Sequence, residues 1–216
     1  MSLDRGGESA AADSPISVPE LRDYHQINAE VVRRLNRGAD RVRLEGPAGH
    51  RLLLAGLTGP WRAEIEIAGD AGPELAAGLD APGLRIVCRG ASADGAGGGL
   101  RQGVLLLLGP SGTALGYRQA GGLLIAADVV GPRAGLGMLG GAMVLRGSVG
   151  PLAGERQSGG RLFLPSSEVG PHSGWNSRGG WRFADEVDPI DHAGKRILKH
   201  ALELLDRHAS RPAAGA

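Results

Sequence analysis

Glycine recurs along this chain in four interleaved ladders with one period, and that pattern restricts the accessible folds more than any other feature. The residues closing successive apolar runs are Gly46, Gly69, Gly90, Gly109, Asp128, Gly147 and Ser166, at spacings of 23, 21, 19, 19, 19 and 19. A second glycine follows three residues later at Gly49, Gly72, Gly112, Gly131 and Gly150. A third recurs at Gly97, Gly116, Gly135 and Gly154, and a fourth as the doublets Gly121-Gly122, Gly140-Gly141 and Gly159-Gly160. Glycine makes up 38 of 216 residues, about two and a half times ordinary usage. Without a collagen period, such a content means disorder or a repeat. Apolar runs such as Val104 to Leu108 demand burial, which excludes disorder and leaves a repeat.

A repeat of 19 residues is too short for a helical hairpin, which needs about 33 or more. It suffices for one coil of a β-solenoid, a few short strands joined by tight corners. Glycine suits those corners because it reaches positive φ at little cost and lets stacked backbones approach closely. Strand alternation assigns the faces. In Glu64-Ile65-Glu66-Ile67 the isoleucines point inward. The same phase puts Val42 and Leu44, Ile86 and Cys88, Leu105 and Leu107, Leu124 and Ala126, Met143 and Leu145, and Leu162 and Leu164 inside. Cys88 then reads as a small apolar filler rather than a reactive thiol.

The outward face changes along the chain. Arg41, Arg43, Glu64, Glu66, Arg85 and Arg89 are expected in solvent, with Arg43 and Glu66 paired across rungs. Val104, Leu106, Leu108, Leu123, Ile125 and Val144 need a cover, which the chain's own end or a partner must supply.

Both ends read as helical. Ser17 and Glu20 form a capping box with Pro19 in the first turn, and Leu21, Tyr24, Ile27, Val31 and Leu35 make an apolar stripe ended by Gly38. A loop, Glu168 to Glu186, holds Trp175, Trp181 and Phe183, three of the chain's seven aromatic residues. A second helix starts at Asp188-Pro189, and its apolar side is expected to cover the outer strip. The predicted organisation is a disordered tail (1–15), a capping helix (16–38), a β-helix of about seven coils (39–167), an aromatic loop (168–187), an amphipathic helix (188–208) and a second disordered tail (209–216).

The remaining chemistry is sparse. Net charge is +1, which excludes a global field that recruits nucleic acid or anionic membrane. The single cysteine suits a reducing compartment, no stretch is apolar enough to span a bilayer, and Met1 to Pro15 lacks a signal-peptide core; the expected location is cytoplasmic. The six histidines are dispersed, and His192, His200 and His208 are too far apart on one helix to share a metal. Gly135 to Gly141 superficially matches a dinucleotide fingerprint but lies inside the repeat with no helix after it. Glu64, Glu66 and Asp70 read as solvated carboxylates. No catalytic, cofactor-binding or metal-binding residue is predicted.

The segment Gly131-Pro-Arg-Ala-Gly135-Leu-Gly137-Met-Leu-Gly140-Gly141, with Met143-Val144-Leu145-Arg146-Gly147 after it, resembles the GXGXG domain. That family is the right-handed parallel β-helix at the C-terminal end of the glutamate synthase large subunit, and it recurs in standalone glutamate-synthase-like subunits. Similar modules form one subunit of formylmethanofuran dehydrogenase and one of its formyltransferase/hydrolase counterpart. The resemblance spans about residues 40 to 166. It implies a structural subunit beside an FMN-containing synthase and a glutamine amidotransferase, or beside formyltransferase-type subunits. FMN and an iron–sulfur cluster would belong to those partners and none to this chain. By that resemblance Gly116, Gly135, Gly137, Gly140, Gly141, Gly154, Gly159 and Gly160 are corner glycines without catalytic roles. Leu106, Leu108, Ile125, Val144, Trp175, Trp181 and Phe183 are the candidate contacts. Asp128, Ser166 and Ala93 depart from the glycine pattern. A standalone binding module is a further alternative; a left-handed β-helix enzyme is disfavoured because its hexad steps are absent.

Overall fold

A computed structural model describes residues 14–21, 23–165, 169–184 and 191–209, and of 181–184 the backbone. Its centre is one parallel sheet of nine strands whose spatial order is the chain order. These are β1 (Ile16–Ser17), β2 (Arg41–Glu45), β3 (Ala63–Ala68), β4 (Asp80–Cys88), β5 (Gln102–Leu107), β6 (Leu123–Ala126), β7 (Ala142–Leu145), β8 (Arg161–Leu164) and β9 (Trp181–Ala184). Parallel neighbours need a return path of a dozen or more residues. Here a coil supplies it in place of a crossover helix, and the chain is a parallel β-helix.

The inside files follow from strand alternation. Val42, Ile65, Ile86, Leu105, Leu124, Met143 and Leu162 stand opposite one another in succession. Leu44, Ile67, Cys88, Leu107, Ala126 and Leu145 form the adjacent file. All are buried. From the coil after β3 onward, the chain then turns through a bridge residue, in the column Ala71, Ser92, Ser111, Val130, Val149 and Val169. The two serines inside this column satisfy each other, Ser92 Oγ to Ser111 Oγ at 3.0 Å.

The third side of each coil has a backbone of alternating handedness. Positive φ recurs at every second residue, as in Ala114, Gly116 and Arg118, then Arg133, Gly135 and Gly137. The alternation turns successive peptide groups along the stack. Ala114 and Arg118 donate their N–H groups to Pro132 and Leu136 in the next coil, and Gly116 donates to Ala96 in the preceding one. Where this backbone faces the core, the later coils carry Gly97, Gly116, Gly135 and Gly154, and the first two hold Leu54 and Ala76, buried, in the same conformation. Where the side chain points out, arginine occupies the same conformation, at a cost of about 1–2 kcal/mol.

The ends differ from the sequence reading in two places. Ser17 does not open a long helix but pairs in β1 with Glu45 of β2. A short helix α1 (Val18–Leu21) follows, then α2 (Tyr24–Asn36), whose N-cap is Asp23, its carboxylate accepting from His25 N at 3.1 Å. Asp23 is a strong cap in its own right, so α2 begins afresh there. Ile27, Val31 and Leu35 of α2 are buried over the first coil. Asn28 serves the open coil edge, accepting from Leu54 N at 2.8 Å and donating to Leu52 O at 3.3 Å. This is the capping that a solenoid end needs.

The second correction concerns 168–187. The described part of this stretch is a further coil, not a loop: Val169 bridges to Val149, and β9 pairs with β8. Arg161 lies opposite Trp181, a step of 20 residues. One extra residue shifts Gly170, Gly174, Gly179 and Gly180 out of phase with Gly150, Gly154, Gly159 and Gly160. The closing position Ser166 and the start of the predicted second helix, Asp188-Pro189, lie outside the described residues, as do 1–13 and 210–216 of the predicted tails.

Two glycines separate the two reasons for the residue. A Cβ on Gly140 would sit 2.3 Å from the carbonyl oxygen of Ala120 in the coil below, and no side chain fits. Gly137 has a φ of +62° but only Arg118 Cγ at 3.6 Å nearby. Gly137→Ala should therefore cost about 1 kcal/mol, whereas Gly140→Ala should force the coils apart and cost several times more. Chemical denaturation of both variants checks the order; equal losses would contradict it.

Candidate functional site

The outer face of the sheet is the most elaborated surface of the molecule, because the C-terminal helix lies along it. This helix, α3 (His192–Ala209), starts over β8: the Asp191 carboxylate accepts from Gly194 N at 2.7 Å and from Arg161 at 3.0 Å. The Gly194 N–H and the Arg161 guanidinium hold the Asp191 carboxyl below the usual range. At its other end, His208 Nε2 lies 3.5 Å from the Glu64 carboxylate of β3, and Arg89 Nη1 donates to His208 O at 3.3 Å. Eighteen helical residues span about 27 Å and five strand spacings about 24 Å, so the helix length matches the distance it covers.

Beneath α3 runs a second apolar file, Val87, Leu106, Ile125, Val144 and Phe163, packed against Ala201 and Leu204 and flanked by Ile197, Leu198 and Leu205. The cover that the sequence demands is thus the chain's own helix. Leu106, Ile125 and Val144 are fully buried under it and form an intramolecular contact, not an open partner surface. Leu108 is half-buried at the rim of a cleft of about 430 Å³ shared with Arg89, Arg146 and Leu205. Trp175 is half exposed on the alternating-handed side of the coil. Trp181 and Phe183 lie in β9 opposite Arg161 and Phe163, and their side chains are outside the described part. The structure therefore does not bring Trp175 together with Leu106, Ile125 and Val144 in one patch.

Of the three carboxylates expected in solvent, Asp70 is exposed, Glu64 only partly so, and Glu66 is buried. Glu66 is 2 % exposed and sits among Arg41 at 3.2 Å, Arg43 at 3.1 Å and Arg89 at 3.0 Å. Arg43 and Glu66 pair as expected, but inside a covered ladder. Glu64 bonds Arg85 at 3.1 Å and meets His208. Burial pushes the Glu66 carboxyl up, but the Arg89 hydrogen bond and the charges of Arg89, Arg43 and Arg41 outweigh it and hold the group below the usual carboxylate range. The surplus of cations sits where the helix ends, and Arg89 bonds one of the last carbonyls, an arrangement the helix dipole favours.

The other predicted positions fall where coil geometry puts them. Gly116, Gly135, Gly137, Gly141, Gly154 and Gly160 have positive φ. Gly140 and Gly159 face backbone carbonyls of the coil below. Burial pushes the Cys88 thiol up to about 11, and its Sγ lies 3.5 Å from Gly90 O. Two core polar groups are absent from the sequence reading. Gln119 Nε2 donates to Gly121 O and Ala142 O, and Gln157 Nε2 to Gly159 O, so each glutamine ties down a glycine doublet from inside. Among the described residues no three His, Cys, Asp or Glu side chains are placed to hold a metal, and no helix is long and apolar enough to cross a membrane.

Comparison with family models, curated proteins and solved structures finds no match. The chemistry of the site must accordingly be read from its own geometry. Each ionised group in the ladder is engaged with an opposite charge, and the thiol is buried and protonated. What the face does is fix a helix across six strands, β3 to β8.

Two variants separate the halves of this contact. Glu66→Ala leaves several arginines without their carboxylate and should cost about 3 kcal/mol. Because the folded-state pKa of Glu66 is lowered, its contribution is complete above the unfolded value of about 4.3 and is lost as pH falls through the folded value. Thermal melts should show wild type losing more stability than Glu66→Ala on acidification below that point. Leu106→Asp should free α3 while leaving the coils intact, read as new proteolysis within 192–209. Loss of the entire fold in Leu106→Asp would refute the division.

Proposed function

We propose that this chain is a non-catalytic assembly subunit of a glutamate-synthase-like oxidoreductase, holding an FMN-containing synthase and a glutamine amidotransferase together. What supports the reading is that its distinctive residues are consumed by architecture. The eight corner glycines answer to backbone contact or positive φ, Cys88 fills the core, and Glu64 and Glu66 are neutralised by arginines. The glycine pattern is the one that resembles the GXGXG domain, and a rigid coil stack is suited to hold other domains in register. On this reading the flavin and the iron–sulfur cluster reside in the partners.

The test is gentle purification of the tagged protein from its native cells, with identification of companions and a flavin absorbance scan. Co-elution in fixed ratio with a flavoprotein and an amidotransferase is expected. Elution of the chain alone, without flavin, at low salt would overturn the assignment.

A further inference from the structure

One side of the coil stack carries an unusual combination of exposed groups. From Ser111 onward, the alternating-handed turns project Tyr117, 45 % exposed, and Trp175, 50 % exposed, with Leu139, 49 % exposed, just beyond them. These are three of the four large hydrophobic residues that are exposed among the described ones, the fourth being Val129. Tyr117, Leu136, Glu155 and Trp175 occupy one repeat position: each accepts through its carbonyl from the preceding coil, at Gly99, Arg118, Gly137 and Arg156 respectively. They therefore form a column rather than a scatter.

Arginines frame that column. Arg118, Arg133, Arg156 and Arg178 are all exposed, against one carboxylate, Glu155. Glu155 is 5 % exposed, lying 3.3 Å from Arg133 and 3.8 Å from Arg156, so it neutralises part of the charge from beneath and presents little to solvent. The face ends at a polar cleft of about 670 Å³ lined by Arg156, Ser158, Asn176, Ser177 and Arg178. At this end the hydrogen-bond pattern also runs out. Leu152 and Arg156 donate their N–H groups to Pro171 and Trp175 of the last coil. The equivalent N–H groups of that coil, on His172 and Asn176, have positive φ as well but no further coil to meet among the described residues. Asn176 lines the cleft, so its N–H adds a donor beside two guanidinium groups.

We propose that this face is the docking surface for an acidic segment of a partner protein. Arginine binds carboxylates bidentately, and Trp, Tyr and Arg are the side chains that dominate protein interfaces. Leu139, half exposed beside the arginines, offers an aliphatic contact that an acidic segment with interspersed apolar side chains matches and a phosphodiester backbone does not. The chain's two lysines, Lys195 and Lys199, both lie on α3, away from the face. The proposal rests on the reading of the chain as an assembly subunit and identifies the surface that would serve it.

The test uses the full chain and a fluorescent peptide of alternating glutamate and leucine, with an oligothymidylate of equal length as the competing probe. Anisotropy should show the peptide binding wild type more tightly than the oligonucleotide, weakening as salt rises from about 50 to 300 mM. The Arg156→Glu/Arg178→Glu double variant and Trp175→Ala should each weaken it by about tenfold or more, with melting temperatures unchanged. Tighter oligonucleotide binding, or peptide binding indifferent to these substitutions, would overturn the proposal. The same double variant goes through the co-purification. Companions retained undiminished would sink the face and keep the assembly role. A face that binds peptide while no companion elutes would do the reverse.

Discussion

Contact between the backbones of successive coils is the constraint from which the rest of this structure descends. Strands about 4.8 Å apart leave no room for side chains where the chain turns over the coil below. At Gly140 and Gly159 the nearest atoms are carbonyl oxygens, which cannot move aside as a flexible side chain can. Once those corners are closed, the period, the register and the direction of every strand residue are settled, because each position repeats above itself. The core is then a set of files, and the identity of any one residue matters less than the file it belongs to.

The strand core was legible in the sequence for this reason. Period and alternation together placed Leu44, Ile67, Cys88, Leu107, Ala126 and Leu145 in one internal file, and the register has them there. Where the period slipped, legibility failed: a coil of 20 residues removed Gly170 and Gly174 from the ladder, and its aromatic content then suggested a loop. Gln119 and Gln157 escaped because they share a file with Leu79, Leu100 and Met138, and only the three-dimensional position of the glycine-doublet carbonyls explains an amide there.

The outer face was half legible. The apolar strip over Leu106, Ile125 and Val144 called for a cover, and the apolar side of α3 provides it. The charged rungs misled, since Glu64 and Glu66 alternate with isoleucines just as solvent-facing residues do. Nothing in a single strand reveals that Arg85 and Arg89 come from the next rung, or that His208 arrives from 144 residues beyond Glu64. Ion pairs between coils depend on stacking, which periodicity implies only in outline. The exposed column of Tyr117 and Trp175 was hidden by the same slip, because the two share a repeat position only when the extra residue is counted.

An array of units that touch only their neighbours can peel from either tip, one unit at a time. The strut formed by α3 changes that behaviour. Pinned to β8 at Asp191 and to β3 at His208, it makes distant units depend on one another. Loosening the far tip strips cover from the middle, and disturbing the charged rungs near the start releases the far anchor. A sequence built as a linear lattice is thereby closed into a circuit, and its melting should gather into one cooperative event.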